Sequence, residues 1–328
     1  MRRRNSNSLL KRVALSVLGM ILFSAALLEA QQHTFPPWTH SRNNPAGDKG
    51  YAFQVPDVNN VPDLHGNPGG AKLVLFIAGN QFMVLPRLVV AFETLHPELK
   101  GRIFYETLPP GILLRQMASR NTLTLGNLTL TVQPDVFEAG ATRLAQLVSE
   151  GKISGEVRYA KNDLAIMVRK GNPKHIRSLR DLGGPGIRVS MPNPQWEGVA
   201  RLIEQSLGKA GGEALVHQVM VTKRKAGTTF LTHIHHRQTP MRILQGLSDA
   251  GVTWSSEVKF QEAVGNPISG VTIPAKDNTI GLYAAGVLIG APHQKAAQEW
   301  VDFLKTKTAQ SVYRSFGFGI PEQDMERR

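Results

Sequence analysis

The hydrophobic positions of the chain fall into a repeating order of short apolar runs and amphipathic stretches. Leu73-Val74-Leu75-Phe76-Ile77-Ala78 is apolar without interruption, the pattern of a strand buried on both faces. After Gly79-Asn80, the apolar residues Val84, Leu85, Leu88, Val89, Phe92 and Leu95 recur at helical spacing up to Pro97. The spacing then predicts a strand over 102–106 and a helix over 112–119. Thr and Leu alternate around Gly126-Asn127 as in a β-hairpin. Strands at 134–137, 164–168, 187–191, 251–254 and 280–289 alternate with helices at 142–150, 198–209, 212–217, 241–247, 296–304 and 309–316. Alternation of this kind predicts an α/β architecture, with mixed, mostly parallel sheets flanked by helices. Such sheets bind ligands beyond the carboxyl ends of their strands. The loops in that position are 79–81, 109–111, 193–195 and 239–240.

The two ends of this pattern differ from its middle. Residues 1–30 carry Arg2, Arg3, Arg4, Lys11 and Arg12, then an apolar run from Val13 to Leu28, then the small residue Ala30. This is the tripartite layout of a secretory signal peptide, and the run is short for a membrane span of roughly 20 residues. It places the mature chain in the periplasm. Residues 31–71 are rich in Pro, Gly and Asn and read as an irregular N-terminal arm, packed through Phe35, Trp38, Tyr51 and Phe53.

Composition narrows the function. The 328 residues contain no cysteine, which excludes disulfides, thiolate metal sites and a cysteine nucleophile. Lys and Arg number 38 against 25 Asp and Glu; without the first thirty residues the balance is 33 against 24, or +9. That charge favours anionic ligands. Export and the lack of Lys/Arg clusters interleaved with aromatics argue against nucleic acid. No dinucleotide fingerprint, phosphate-binding loop, zinc-protease helix or nucleophile elbow is present; this does not exclude an enzyme but removes the common arguments for one. The chain is read as a non-enzyme with no cofactor.

The densest chemistry is Thr232-His233-Ile234-His235-His236-Arg237. If this run is extended, His233 and His235 face one side and His236 the other, so His233 and His235 form a candidate metal pair. The same run serves an anion equally well, with Arg237 as a forked donor, or simply lines a cleft. Thr239-Pro240 behind it marks a helix start, where free N–H groups suit an anion. Trp254 and Ser255, at the end of a strand, are candidates for a cleft wall and a hydroxyl donor. Trp254→Ala is therefore expected to weaken ligand binding more than stability. Trp196 and Glu197 open a helix, and Asn80 and Gln81 sit at the first strand-to-helix turn. The candidate ligand-binding set is Asn80, Gln81, Trp196, Glu197, His235, His236, Arg237, Thr239, Trp254 and Ser255.

The order of these segments resembles type II periplasmic solute-binding proteins of ABC transporters, and among them the molybdate-binding family. The residues that carry the resemblance are Leu73 to Asn80 with the helix ending Phe92-Glu93-Thr94-Leu95-His96-Pro97, then Pro134-Asp135-Val136-Phe137. Asn162 to Pro173, Gly246 to Trp254 and the closing segments 297–303 and 310–318 continue it. The resemblance implies two lobes, one formed by 72–161 and 274–328 and the other by 162–273, closing by a hinge on a small anionic or polar solute. It also implies a membrane permease of an ABC importer as partner, and a monomer. In that family serines of the first two loops and a late tyrosine hold the oxyanion; those positions here hold Asn80, Pro109-Pro110 and Trp254. This set suits a larger organic anion or a metal complex better than a bare oxyanion. A metal-handling protein built on His233–His236 is the alternative function.

Overall fold

The computed structural model describes residues 62–125 and 128–322, and everything below concerns those residues. The segment 1–30 read as a signal peptide, most of the segment 31–71 read as an arm, and Gly126-Asn127 lie outside them.

The run Leu73–Ile77 forms strand β2, with all five residues buried. It is central to a six-stranded sheet. Leu64–His65 (β1), Ile103–Glu106 (β3), Val136–Gly140 (β6), Val157–Asn162 (β7) and Gly281–Val287 (β13) complete it in the order β1-β3-β2-β6-β13-β7. β2 pairs in parallel with β3 and β6, while β1, β13 and β7 join antiparallel. The hairpin strands Thr122–Leu125 (β4) and Leu128–Thr131 (β5) pair as the alternation predicts.

A second sheet of five strands has the order β10-β9-β11-β8-β12. Its strands are Leu164–Arg169 (β8), Val189–Met191 (β9), Thr229–Leu231 (β10), Ala250–Trp254 (β11) and Ile268–Thr272 (β12). Here β9 is parallel to β10 and β11, and β8 is antiparallel to β11 and β12. The chain passes between the sheets at 162–164 and again at 273–280. Asn278 ties the two crossings together: its Oδ1 accepts from the Leu164 amide at 3.1 Å and its Nδ2 donates to the Leu164 carbonyl at 2.9 Å.

Helices cover both sheets. Leu85–Leu95 (α1) buries Leu85, Leu88 and Phe92, and ends at His96 because Pro97 disfavours helical geometry in the residue before it. Phe92 meets the Trp300 ring edge-on at 5.1 Å. Pro110–Ala118 (α2), Ala141–Ser149 (α3), Val199–His217 (α4), Gln238–Leu244 (α5), Ser255–Ala263 (α6), Gln294–Phe303 (α7) and Lys307–Ser315 (α8) follow. The backbone of α4 breaks at Gly211-Gly212, where Gly212 has φ 68°, so the two predicted helices run on end to end. One large apolar cluster joins the inner faces of both sheets. Smaller ones fill the outer face of each. Burying each Leu, Ile or Phe of these clusters stabilises the fold by about 1.5–3 kcal/mol.

Candidate functional site

The carboxyl ends of the parallel strands converge where the lobes meet, and the loops there are polar. Beyond β2, Gly79-Asn80-Gln81 makes a tight turn with all three residues buried. Beyond β3, Thr107 leads to the start of α2, where the Gly111 amide donates to the Trp196 carbonyl of the other lobe at 3.0 Å. Beyond β9, a turn at Asn193 brings Glu197 inward, its amide bonded to the Asn193 carbonyl at 3.0 Å. Beyond β10 comes the His run, and beyond β11 the first turn of α6 with Glu257.

The His run is not extended. β10 ends at Leu231, the chain turns, and α5 begins at Gln238. This reverses the expected facing. His235 and His236 both point inward and are fully buried, whereas His233 is exposed against Phe230. The candidate pair His233–His235 is thus not assembled. Instead the ligand atoms of Glu197, His235 and His236 lie within 4.8 Å of one another. Gly79 makes room for this, since a Cβ there would stand 2.4 Å from His235 Cε1.

Around these three residues runs one network. Glu197 Oε1 accepts from the His236 amide at 3.0 Å and pairs with His236 Nδ1 at 2.7 Å. His235 Nδ1 stands 3.7 Å from the same oxygen. His236 Nε2 meets Glu257 Oε1 at 2.7 Å, and Thr253 donates to the other Glu257 oxygen. His235 Nε2 meets Asp63 Oδ1 at 3.1 Å. Arg237 Nη2 donates to that Asp63 oxygen and, at 3.2 Å, to the Thr107 carbonyl, and lies 2.6 Å from His235 Nε2. The Arg237 guanidinium sits 5.0 Å above the Phe82 ring.

The electrostatics follow from burial and neighbours. Burial works against charge on all these groups. For His236 it is outweighed by Glu197 and Glu257 on either side, which push its pKa up to about 10. For Glu197 it is outweighed by His236 and His235, which hold the carboxyl well below the usual range. Asp63 is likewise lowered against its burial by Arg237 and His235. Three buried hydrogen-bonding atoms of this network have no described partner: His235 Nδ1, Arg237 Nε and Arg237 Nη1.

Residues 73–319 match the family of bacterial extracellular solute-binding proteins. The chain belongs to that family. The molybdate-binding protein ModA of Mycobacterium tuberculosis is 24% identical over 216 residues, 65% of this chain and 76% of ModA. Among solved structures, the sulfate-binding protein SubI of M. tuberculosis superposes with a TM-score of 0.62 at 21% identity, covering 76% of this chain and 87% of SubI. The periplasmic molybdate-binding protein of Azotobacter vinelandii gives 0.59 at 17%, covering 76% of this chain and all of that one. The two-lobe fold is theirs as well.

In this solute-binding protein the other candidate residues divide. Asn80 donates to the Tyr283 hydroxyl at 2.5 Å, and Ser255 to Asn162 Oδ1 at 3.1 Å; both border the network. Trp196 is half-buried under the Arg115 guanidinium, 4.4 Å from its ring. Three candidates are engaged within the fold. Gln81 is held between the Tyr159 and Tyr313 hydroxyls, 2.7 Å from each. Thr239 is spent on Ser190, 3.0 Å away, with its methyl packed on Gly251. Trp254 lies in the apolar core, 5.6 Å from the Tyr283 ring. Asp63, Thr107, Thr253 and Glu257 belong to the site without having been singled out in the sequence. A signal existed only for Glu257, four residues after Thr253 in the first turn of the helix behind the late strand.

Proposed function

We propose that this is an exported, periplasmic binding protein that captures a small anionic solute between its lobes by hinge closure and passes it to the permease of an ABC importer. The family supports solute capture, and the names of ModA and SubI support an oxyanion or a related anion. The observation that carries the reading to this chain is Arg237. Its guanidinium is 3% exposed at the lobe junction, yet its Nε and Nη1 have no described partner. A buried cation with unpaired donors is costly, and a solute oxygen would satisfy them. The neighbouring carboxylates of Asp63, Glu197 and Glu257 select against a bare dianion and in favour of a solute that also brings donors.

The test is a thermal-shift panel of molybdate, sulfate, phosphate and small organic acids on the metal-free chain and on Arg237→Ala. A solute at 100 times its dissociation constant adds about 2.7 kcal/mol of stability. An anion that stabilises the parent and not the variant supports the reading. Equal shifts in both would place the anion elsewhere.

A further inference from the structure

The two inward histidines share one arrangement. Each has its Nε2 against a buried carboxylate, His235 on Asp63 at 3.1 Å and His236 on Glu257 at 2.7 Å. His235 Nε2 also lies 2.6 Å from Arg237 Nη2, whose two N–H groups go to Asp63 and the Thr107 carbonyl, which leaves Asp63 as the acceptor for the His235 N–H. Each therefore turns its Nδ1 toward one oxygen, Glu197 Oε1, at 3.7 and 2.7 Å. An imidazole whose far N–H is held by a carboxylate, with the near nitrogen aimed at a common point, is the usual setting of a metal-ligating histidine. The His235 Nδ1 is buried, 0% exposed, and bonded to no described residue.

We infer that Glu197 Oε1, His235 Nδ1 and His236 Nδ1 form a binding site for one divalent transition-metal ion of the zinc type. Ligand type fits: two imidazoles and one carboxylate suit zinc and its neighbours, not magnesium or calcium. Spacing is close: zinc bonds of roughly 2.0–2.2 Å set tetrahedral ligand atoms about 3.4 Å apart, so of the two contacts to Glu197 one must lengthen and the other shorten by under an ångström, and the two imidazole nitrogens start within 4.8 Å of each other. Charge fits once the metal has displaced the proton that His236 holds between Glu197 and Glu257: the buried network then holds three carboxylates, Asp63, Glu197 and Glu257, against the single guanidinium of Arg237. A dication cancels that excess. Three protein ligands leave one position open to water or solute. The site stands whether or not the anion reading does, because none of its ligand atoms is an Arg237 donor.

The experiment uses the full chain, stripped with a chelator and dialysed. Calorimetric titration with Zn²⁺ is expected to show one equivalent bound. Affinity falls at least 100-fold in His235→Ala and in Glu197→Gln, and 10–100-fold in Glu257→Gln, where only the outer support is changed. His233→Ala is expected to bind as the parent does. Co²⁺ in the unmutated chain gives an intense visible absorption of a four- or five-coordinate site, which serves if a variant fails to fold. The inference is overturned if the parent binds no Zn²⁺, if Co²⁺ gives only the pale six-coordinate spectrum, or if binding survives His235→Ala and is lost in His96→Ala. That last result would assign the ion to the surface group of His96, Glu98 and Glu299. The anion panel is read on metal-free protein, so either reading can fail alone.

Discussion

Asp63 reaches across the lobe junction to the guanidinium of Arg237. Its own backbone is fixed on the first sheet, where its carbonyl accepts from the Thr107 amide at 2.9 Å. Arg237 is fixed on the second, between β10 and α5. Each residue is at most 3% exposed, so the pair joins the lobes without water to screen it. Removing one partner of a buried pair typically costs about 3–5 kcal/mol, because the other charge stays behind. Asp63→Ala is therefore expected to lower the melting temperature and to open the lobes. Small-angle scattering should show a larger radius of gyration than for the parent. A double-mutant cycle with Arg237→Ala should be strongly non-additive; additive effects would mean the two residues act independently.

Trp254 carries an expectation that its surroundings reverse. Its indole packs on Tyr283 and so closely on β13 that a Cβ at Gly281 would stand 2.4 Å from Trp254 Cη2. Trp254→Ala should thus cost about 3–5 kcal/mol, the range for large-to-small core changes. Gly281→Ala should also destabilise, by forcing the ring aside. Urea unfolding measures both. A Trp254→Ala protein of unchanged stability but weakened solute affinity would restore the indole to the cleft wall.

These two residues illustrate what could be read from the chain. Strands buried on both faces, such as Leu73–Ile77, announce themselves as apolar runs. Elements whose burial is mixed do not. β12, Ile-Ser-Gly-Val-Thr, is buried fully only at Ile268. The helix Ser255–Ala263 buries Ser256, Glu257 and Gln261 along with Val258 and Phe260, so it shows no apolar stripe. The His run was conspicuous, but its geometry depended on whether β10 continued through it. One residue of turn more or less decides which imidazoles face inward. Asp63 was illegible for a different reason: 172 residues separate it from His235, and only the fold brings them together.

The amide of Gln81 is a second buried bridge, and it is testable by single atoms. Its amide nitrogen Nε2 donates to the Tyr159 hydroxyl, and its Oε1 accepts from the Tyr313 hydroxyl, each at 2.7 Å. The bridge links the first strand-to-helix turn with β7 and with α8. Tyr313→Phe strips the carbonyl of its donor while keeping the ring, and should cost about 1–3 kcal/mol. Solute affinity should be unchanged, because none of these groups meets the His–Glu network. A loss of affinity without a loss of stability would return Gln81 to the binding set.

Glu106 gives the protein a pH dependence of definite sign. The carboxyl is fully buried at the end of β3, with Gln116 Nε2 donating to its Oε1 at 2.9 Å. Burial raises its pKa from 4.5 to about 8, against the opposing pull of the Gln116 hydrogen bond. The folded state therefore holds a proton that the unfolded state releases above pH 4.5. Below that value both states are protonated and Glu106 leaves stability independent of pH. Between pH 4.5 and about 8 the unfolded state binds fewer protons, so stability falls as pH rises, and the penalty is complete above 8. Glu138, raised to about 7 by burial against the Trp300 hydrogen bond, adds a slope of the same sign over a narrower window. Glu106→Gln replaces the neutral acid by a neutral amide of nearly the same shape. Its melting temperature should match the parent near pH 4.5 and exceed it increasingly toward pH 8, by several degrees. Parallel curves for parent and variant across that range would show that Glu106 is ionised in the folded protein, and that the buried carboxyl has found a partner beyond Gln116.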